Sequence, residues 1–317
     1  MGKYVIKRLI LMVFTFLIIL TMCFVLIKLL PLPAVKSMGR DVKLVLARRE
    51  AMGYNKPILV QYGLYWKHLF QGDMGLGEQM YYGLEVVDVF FTKLPYSVVV
   101  NLYSILMAIP LGLLFGIYAA LRKNHWQDHV VSTMVMLFIS VPSYVWAFLV
   151  QYILCYKTGW FSLTVASRET TEFFSWAMFK SMFPAVLSLG IYTIAGLTRF
   201  TRAELSEVLT GDYLLLARTK GLTRSQAVVR HAMRNAMVPI LPMILSEFIG
   251  ILGGSLIIES VFAIPGIGAL FVQSVNLRDY NFFMADTFFY TFIGLLSGLV
   301  IDLSYGFIDP RIKMGAR

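Results

Sequence analysis

Val98-Val-Val-Asn-Leu-Tyr-Ser-Ile-Leu-Met-Ala-Ile-Pro110-Leu-Gly-Leu-Leu-Phe-Gly-Ile-Tyr-Ala-Ala-Leu121 runs for 24 residues without an Asp, Glu, Lys or Arg. As a helix rising about 1.5 Å per residue it reaches roughly 36 Å, more than the hydrocarbon of a bilayer at about 30 Å. Lipid offers backbone amides no water to bond, so such a stretch is stable there only as a helix. Five more stretches are long and mostly apolar, and together the candidate spans are about 9–30, 98–121, 130–156, 179–198, 237–263 and 282–308. Ser, Thr and Pro184 dilute the fourth most. The expectation is an all-α polytopic membrane protein with six transmembrane helices.

Composition agrees. Of 317 residues, 58% are hydrophobic and only 15% charged, against about 25% charged in a soluble domain. One soluble core of this size could not hide so much apolar surface, and the low charge excludes disorder. Cys23 and Cys155 lie inside apolar runs, so neither a disulfide framework nor a metal-binding Cys pair is present. The net charge of +10 comes from Lys and Arg flanking the spans, a topology signal and not a nucleic-acid footprint.

Lys3, Lys7 and Arg8 precede the first run, as in a signal peptide. Its apolar stretch Leu9–Ile27 is 19 residues, longer than the roughly 7–15 of a signal core, so it reads as a retained anchor. Lys28 is expected to snorkel toward the headgroups. With the N-terminus inside, segments 1–8, 122–129, 199–236 and 309–317 carry three, two, seven and three basic residues. The short opposite loops 157–178 and 264–281 carry two and one. Both termini are therefore expected in the cytoplasm. Segment 31–97 is then extracytoplasmic; it is too long for its eight basic residues to set orientation. It should form short helices on the outer rim. Glycine pairs Gly112/Gly116, Gly250/Gly254 and Gly294/Gly298 suggest close helix packing of spans two, five and six.

Segment 199–236 is the most informative. Thr210-Gly-Asp212 offers N-cap oxygens, good helix formers follow, and Gly221 suits a C-terminal stop. Thr223-Arg-Ser-Gln226 fits a capping box. A second helix should run to about Asn235, before Pro239. The first helix carries Tyr213-Leu-Leu-Leu-Ala217. Each leucine left in water forgoes roughly 1.5–3 kcal/mol of burial. Part of that run can pack on the chain's own spans, and the rest suggests a docked partner.

These residues carry a resemblance. Asp212 to Leu222, followed by Arg230-His-Ala-Met-Arg234-Asn-Ala-Met-Val-Pro239, resembles the coupling loop of ABC-importer permeases, most closely the B-type subunit of the oligopeptide/dipeptide branch. Gly72-Asp-Met-Gly75, Leu94-Pro95, Pro110-Leu-Gly112, Ser140-Val-Pro-Ser143, Glu259-Ser-Val-Phe-Ala-Ile-Pro-Gly-Ile-Gly268, Arg278-Asp-Tyr280 and Asp309-Pro-Arg311 are similar to that family too. The likeness spans nearly the whole chain. It implies the type I ABC importer (MetI-like) permease fold. It also implies a pore shared with a second permease subunit, two cytoplasmic ABC ATPases and an extracytoplasmic peptide-binding protein. Asp212, Tyr213, Leu215, Ala217, Arg218 and Gly221 would couple ATPase closure to alternating access. The general importer pattern opens Glu-Ala-Ala; here Leu215 and Leu216 stand first, while Ala217 and Gly221 keep the spacing. Pro239 is also displaced, and both departures look like the peptide branch. Some members carry nickel or other small solutes.

The chain lacks a phosphate-binding Gly-rich loop, so no cofactor is expected on it; ATP and Mg would sit on partner subunits. No catalytic set is visible, because His68, His125, His129 and His231 all fall outside the spans. His125 and His129, with Asp128 between, suit a metal by spacing, but such a pair on a short interfacial loop reads as headgroup contact. No metal site is expected. Among ionisable residues of the spans, Glu259 and Asp286 lie toward the outer face and Asp302 toward the inner end. Only Glu247 falls near mid-membrane. It lines the transport path or bonds another helix. An ion-coupled secondary transporter would want several such carboxylates or an inverted repeat.

Overall fold

The structure is a computed structural model that describes residues 2–31, 34, 40–168 and 170–308. The Asp309-Pro310-Arg311 motif lies outside the described residues. Among them the chain is helical, with only isolated bridges at Leu76–Glu85 and Gly77–Tyr82. Among the described residues five helices are long and apolar enough to cross a membrane, and a pair bent by 100° makes six if it is one span.

The chain forms two compact units. The first comprises Met1–Val98 and Leu252–Leu299, and the second Val99–Ile251 and Val300–Arg317. The first holds α1 (Gly2–Leu29), α2 (Arg40–Ala51), α3 (Ile58–Phe70) and the start of α4 (Val86–Leu121). It also holds α11 (Leu256–Val261), α12 (Ile267–Leu277) and most of α13 (Tyr280–Ile308). On α1, Leu20, Phe24 and Ile27 are buried, while Ile6, Ile10, Phe14 and Met22 are more than half exposed. Such a surface calls for lipid as its solvent. Phe24 and Ile27 pack with Tyr280 and Met284, and Tyr62 and Tyr65 of α3 close over them. Val86, Val89 and Phe90 pack with Ile267, Leu270 and Phe282. Lys28 lies 3.3 Å from the Tyr54 ring centre, a cation–π contact at the end of α1.

The second unit holds the rest of α4, α5 (Trp126–Ser140), α6 (Ser143–Val150), α7 (Trp176–Val208), α8 (Asp212–Thr219), α9 (Arg224–Ala227) and α10 (Met233–Gly250). The glycines of α4 set its approach to α7. A Cβ on Gly112 would lie 2.7 Å from Leu197 Cβ, and one on Gly116 2.6 Å from Thr201 Cβ. Among the described residues of this chain, nothing lies within 4 Å of the equivalent position on Gly250, Gly294 or Gly298, while a Cβ on Gly254 would lie 2.8 Å from Glu259 Oε1.

Helix limits differ from the apolar runs. α4 begins at Val86, ahead of residue 98, and α7 continues past residue 198 to Val208. The expected helix over 130–156 bends by 100° at Val141–Pro142. Proline lacks the N–H that would continue the ladder, and it pushes Val141 to an extended ψ of 128°. The expected helix over 237–263 stops at Gly253; Gly254, at φ +59°, turns the chain before α11. At the other end Pro239 does not stop a helix. Residues Arg224–Gly253 form one continuous rod through a π turn at Val228–Ala232, with Pro239 and Pro242 inside α10.

Candidate functional site

The junction between α8 and α9 is built by short-range signals. Gly211, not Thr210, is the N-cap of α8, and the Thr210 hydroxyl donates instead to Glu207 O at 2.7 Å. At the other end Gly221 takes φ +92°. Its N–H donates to Arg218 O at 3.0 Å, and the Leu222 N–H donates to Ala217 O at 3.3 Å. That is a Schellman stop, which needs a left-handed residue after the cap and therefore glycine. The capping box follows at once: Gln226 N–H donates to Thr223 Oγ1 at 3.3 Å, and Thr223 N–H donates to Gln226 Oε1 at 3.0 Å. A Schellman stop and a capping box, back to back, make a rigid corner.

α8 then presents two faces. Leu214 and Ala217 are buried with Leu205, Ala227, Val228, Ala232 and Ala236. Asp212, Leu215, Leu216, Arg218 and Thr219 are exposed. Leu215 is 64% exposed and Leu216 56%. Of the expected coupling residues, the structure therefore places Asp212, Leu215 and Arg218 outward, Ala217 inward and Gly221 at the corner. The Tyr213 side chain lies outside the described residues. Leu214, the inward anchor, was not singled out in the sequence, although its i, i+3 spacing to Ala217 was readable.

A second feature of this unit escaped the sequence altogether. Asp128, at the start of α5, is buried. It accepts both Nε and Nη2 of Arg202 on α7, the latter at 2.7 Å. The Asn124 N–H at 3.0 Å and the Ser132 hydroxyl at 3.4 Å complete its shell. In the sequence Asp128 stands out only as lying between His125 and His129. His125 Nδ1 is 3.1 Å from Lys123 O, and no cluster of three or more potential metal ligands occurs among the described residues. Glu247 is half-buried and accepts from the Thr193 hydroxyl at 3.4 Å.

In the first unit, the motif Glu259–Gly268 folds around its own acid. Glu259 is fully buried and accepts the N–H groups of Ser255 at 3.1 Å, Gly268 at 2.8 Å and Ala269 at 3.1 Å. A Cβ on Gly266 would fall 2.3 Å from Glu259 Oε2 and from Ser97 Oγ, so the glycine is there for space. Asp286 on α13 is also fully buried.

The motifs Gly72–Gly75 and Arg278–Tyr280 belong to one network. Arg278 adopts φ +58° as α12 ends, which delivers Asp279 Oδ2 to the N–H groups of Glu78, Gln79 and Met80 at 2.7, 2.7 and 3.2 Å. Arg49 grips Glu78 at 2.6 Å, and Arg48 and His68 hold Asp73. Burial raises the Asp279 carboxyl above the usual range despite four backbone amides, those of Glu78, Gln79 and Met80 and that of Phe282. Burial raises Glu78 as well, against the pull of Arg49. Burial pushes the more open Asp73 the same way, but the Gly75 amide, Arg48 and His68 outweigh it and hold its carboxyl low.

Residues 112–314 match the family described as binding-protein-dependent transport system inner membrane component. The dipeptide transport system permease protein of Lactococcus lactis subsp. cremoris is 33% identical, with 99% of this chain and 100% of that one aligned. That of Bacillus subtilis is 34% identical over 99% of each chain. The glutathione transport system permease protein of Salmonella choleraesuis is 32% identical over 99% of each chain. A crystal structure of an amino acid ABC transporter with histidines is similar at a TM-score of 0.51 and 20% identity, over 69% of this chain and 94% of that one. The helical fold is that of the ABC importer permeases. The chain, a multi-pass membrane protein, belongs to the family of inner-membrane components of binding-protein-dependent transport systems.

Proposed function

We propose that this chain is a pore-forming permease subunit of an ATP-driven importer of di- or oligopeptides, and that α8 is its coupling helix. The observation that carries the coupling role is the two-faced α8: Leu214 and Ala217 anchor it inward, while Leu215 and Leu216 stand exposed beside a rigid corner at Gly221. An apolar face held out by a stiff mount is a handle for another protein. The peptide substrate is carried over from the dipeptide and glutathione permeases, which align over nearly the full chain.

In this reading a second permease completes the pore, two ABC ATPases bind ATP and Mg and each grips one coupling helix, and a binding protein delivers the peptide from outside. Both termini and 199–236 face the cytoplasm, in keeping with the Lys and Arg counts. Nucleotide-driven closure of the ATPases moves the corner as one body, and the pore alternates between two states whose relative free energy the nucleotide sets. The relatives are permeases of transport systems, so an ion-coupled carrier acting alone is not favoured.

The test is peptide uptake into vesicles holding this chain with its partner permease, with and without the ATPases and ATP. Uptake that requires both supports the reading. Uptake that persists without any ATPase overturns it.

A further inference from the structure

A groove of about 800 Å³ between the end of α4 and the start of α9 is lined by polar Arg122, His125 and Arg224, here called its rim, and by apolar Leu121, Val229 and Met233, here called its floor. Arg122 directly follows the charge-free stretch 98–121, so the rim lies at the boundary between hydrocarbon and water. Trp126, close by, is 70% exposed, the position of an interfacial aromatic. Arg122 and Arg224 are both exposed, and neither guanidinium has a hydrogen-bond or ion-pair partner among the described residues. By contrast Arg48, Arg49 and Arg202 each grip a carboxylate. The groove thus pairs two unclaimed guanidiniums with an apolar floor in which Val229 is 66% exposed.

A free phosphate would satisfy the rim and leave the floor wet. A neutral hydrocarbon would fill the floor and leave the rim unpaired. An anionic phospholipid answers both, with phosphate oxygens on the guanidiniums and the glycerol end and acyl chains along the floor. No carboxylate lines the groove, so a choline or ethanolamine headgroup would find no counter-charge there. We infer that this groove binds an anionic phospholipid. Arg224 sits in the first turn after the Gly221 corner, so the lipid ties that corner to α4.

The experiment is native mass spectrometry of the assembled transporter released from nanodiscs of mixed phosphatidylglycerol and phosphatidylcholine. Wild type should retain phosphatidylglycerol selectively. Arg122→Gln/Arg224→Gln should lower its affinity about 25-fold, two basic residues each worth about fivefold at an anionic surface. Lys157→Gln/Lys180→Gln, with the same charge change outside the groove, should retain it. Val229→Trp, which fills the floor and keeps every charge, should also lose the lipid, and it decides the matter if the double arginine variant fails to assemble. Equal retention in the groove variants, or equal retention of phosphatidylcholine, overturns the site. Displacement by excess inorganic phosphate makes it a free-phosphate site and overturns the lipid assignment. Selective retention that appears only after the ATPases are stripped from the transporter makes it a protein contact and overturns it too.

Discussion

Leu214 and Leu215 are neighbours in α8 with opposite fates, and truncating each one separates anchoring from docking. Leu215 is 64% exposed. Burying a whole leucine is worth about 1.5–3 kcal/mol, so covering its exposed part contributes about 1–2 kcal/mol to a docked interface. At about 1.4 kcal/mol per tenfold, Leu215→Ala should weaken ATPase binding roughly 5- to 30-fold. Leu215→Asp should weaken it further, because the carboxylate would be desolvated without a partner. Leu214, at 8% exposed, packs on Leu205, Val228 and Ala232. Leu214→Ala should cost about 2–5 kcal/mol of folding stability through the cavity it leaves. The assay is ATPase titration onto the permease in nanodiscs, with a thermal melt of each variant beside it. Leu215→Ala should change Kd and spare the melt. Leu214→Ala should lower the melt. A Leu215→Ala variant that binds ATPase within twofold of wild type would refute the docked-face reasoning.

Gly221→Pro cannot reach φ +92° and removes the N–H bonded to Arg218 O, so ATP-dependent uptake should vanish while membrane insertion survives; unchanged uptake refutes the rigid corner. Gly266→Ala should cost about 3 kcal/mol or more, from overpacking and loss of a charge-assisted bond at Glu259; a melt within error of wild type would contradict the seat. Arg202→Ala leaves Asp128 buried and unpaired, which should cost about 3–5 kcal/mol, with Arg202→Lys recovering part of it in the same melt. Asp73 is held low by the Gly75 amide, Arg48 and His68 against its burial. Its contribution is present above the unfolded carboxylate pKa of about 3.9 and is lost as pH falls through the lower folded value. Asp73→Asn should therefore flatten the loss of thermal stability below about pH 4; an unchanged acid limb counts against that role.

What was legible in the sequence is what is encoded within a few residues. Apolar length announced the helices, Gly221 announced the Schellman stop, and Thr223 with Gln226 announced the capping box. The bend at Pro142 had its signal too, in the proline and the residue before it. Helix ends were less legible. α4 starts at Val86 because Asp88 and Lys93 are compatible with a helix whose first turns leave the hydrocarbon. Pro239 fell inside a helix because the loss of one N–H bond does not outweigh the packing of the Arg224–Gly253 rod. Long-range pairing left no trace at all. Asp128 meets Arg202 across 74 positions, and Asp279 meets the Glu78 amide across 201, so the sequence shows Asp128 beside two histidines and Asp279 within a motif but names the partner of neither. The two faces of α8 were half legible: the surplus of leucine showed that something must be covered, and only the fold showed which leucine is already inside.

The most direct measurement places a photo-crosslinking side chain at Leu216 and follows its products through ATP turnover in sealed vesicles of known sidedness. The reading of α8 as a coupling helix requires crosslinks to an ATPase subunit, made from the cytoplasmic side, in more than one nucleotide state. Crosslinks confined to the chain itself throughout turnover, or a label reachable only from outside, would contradict it.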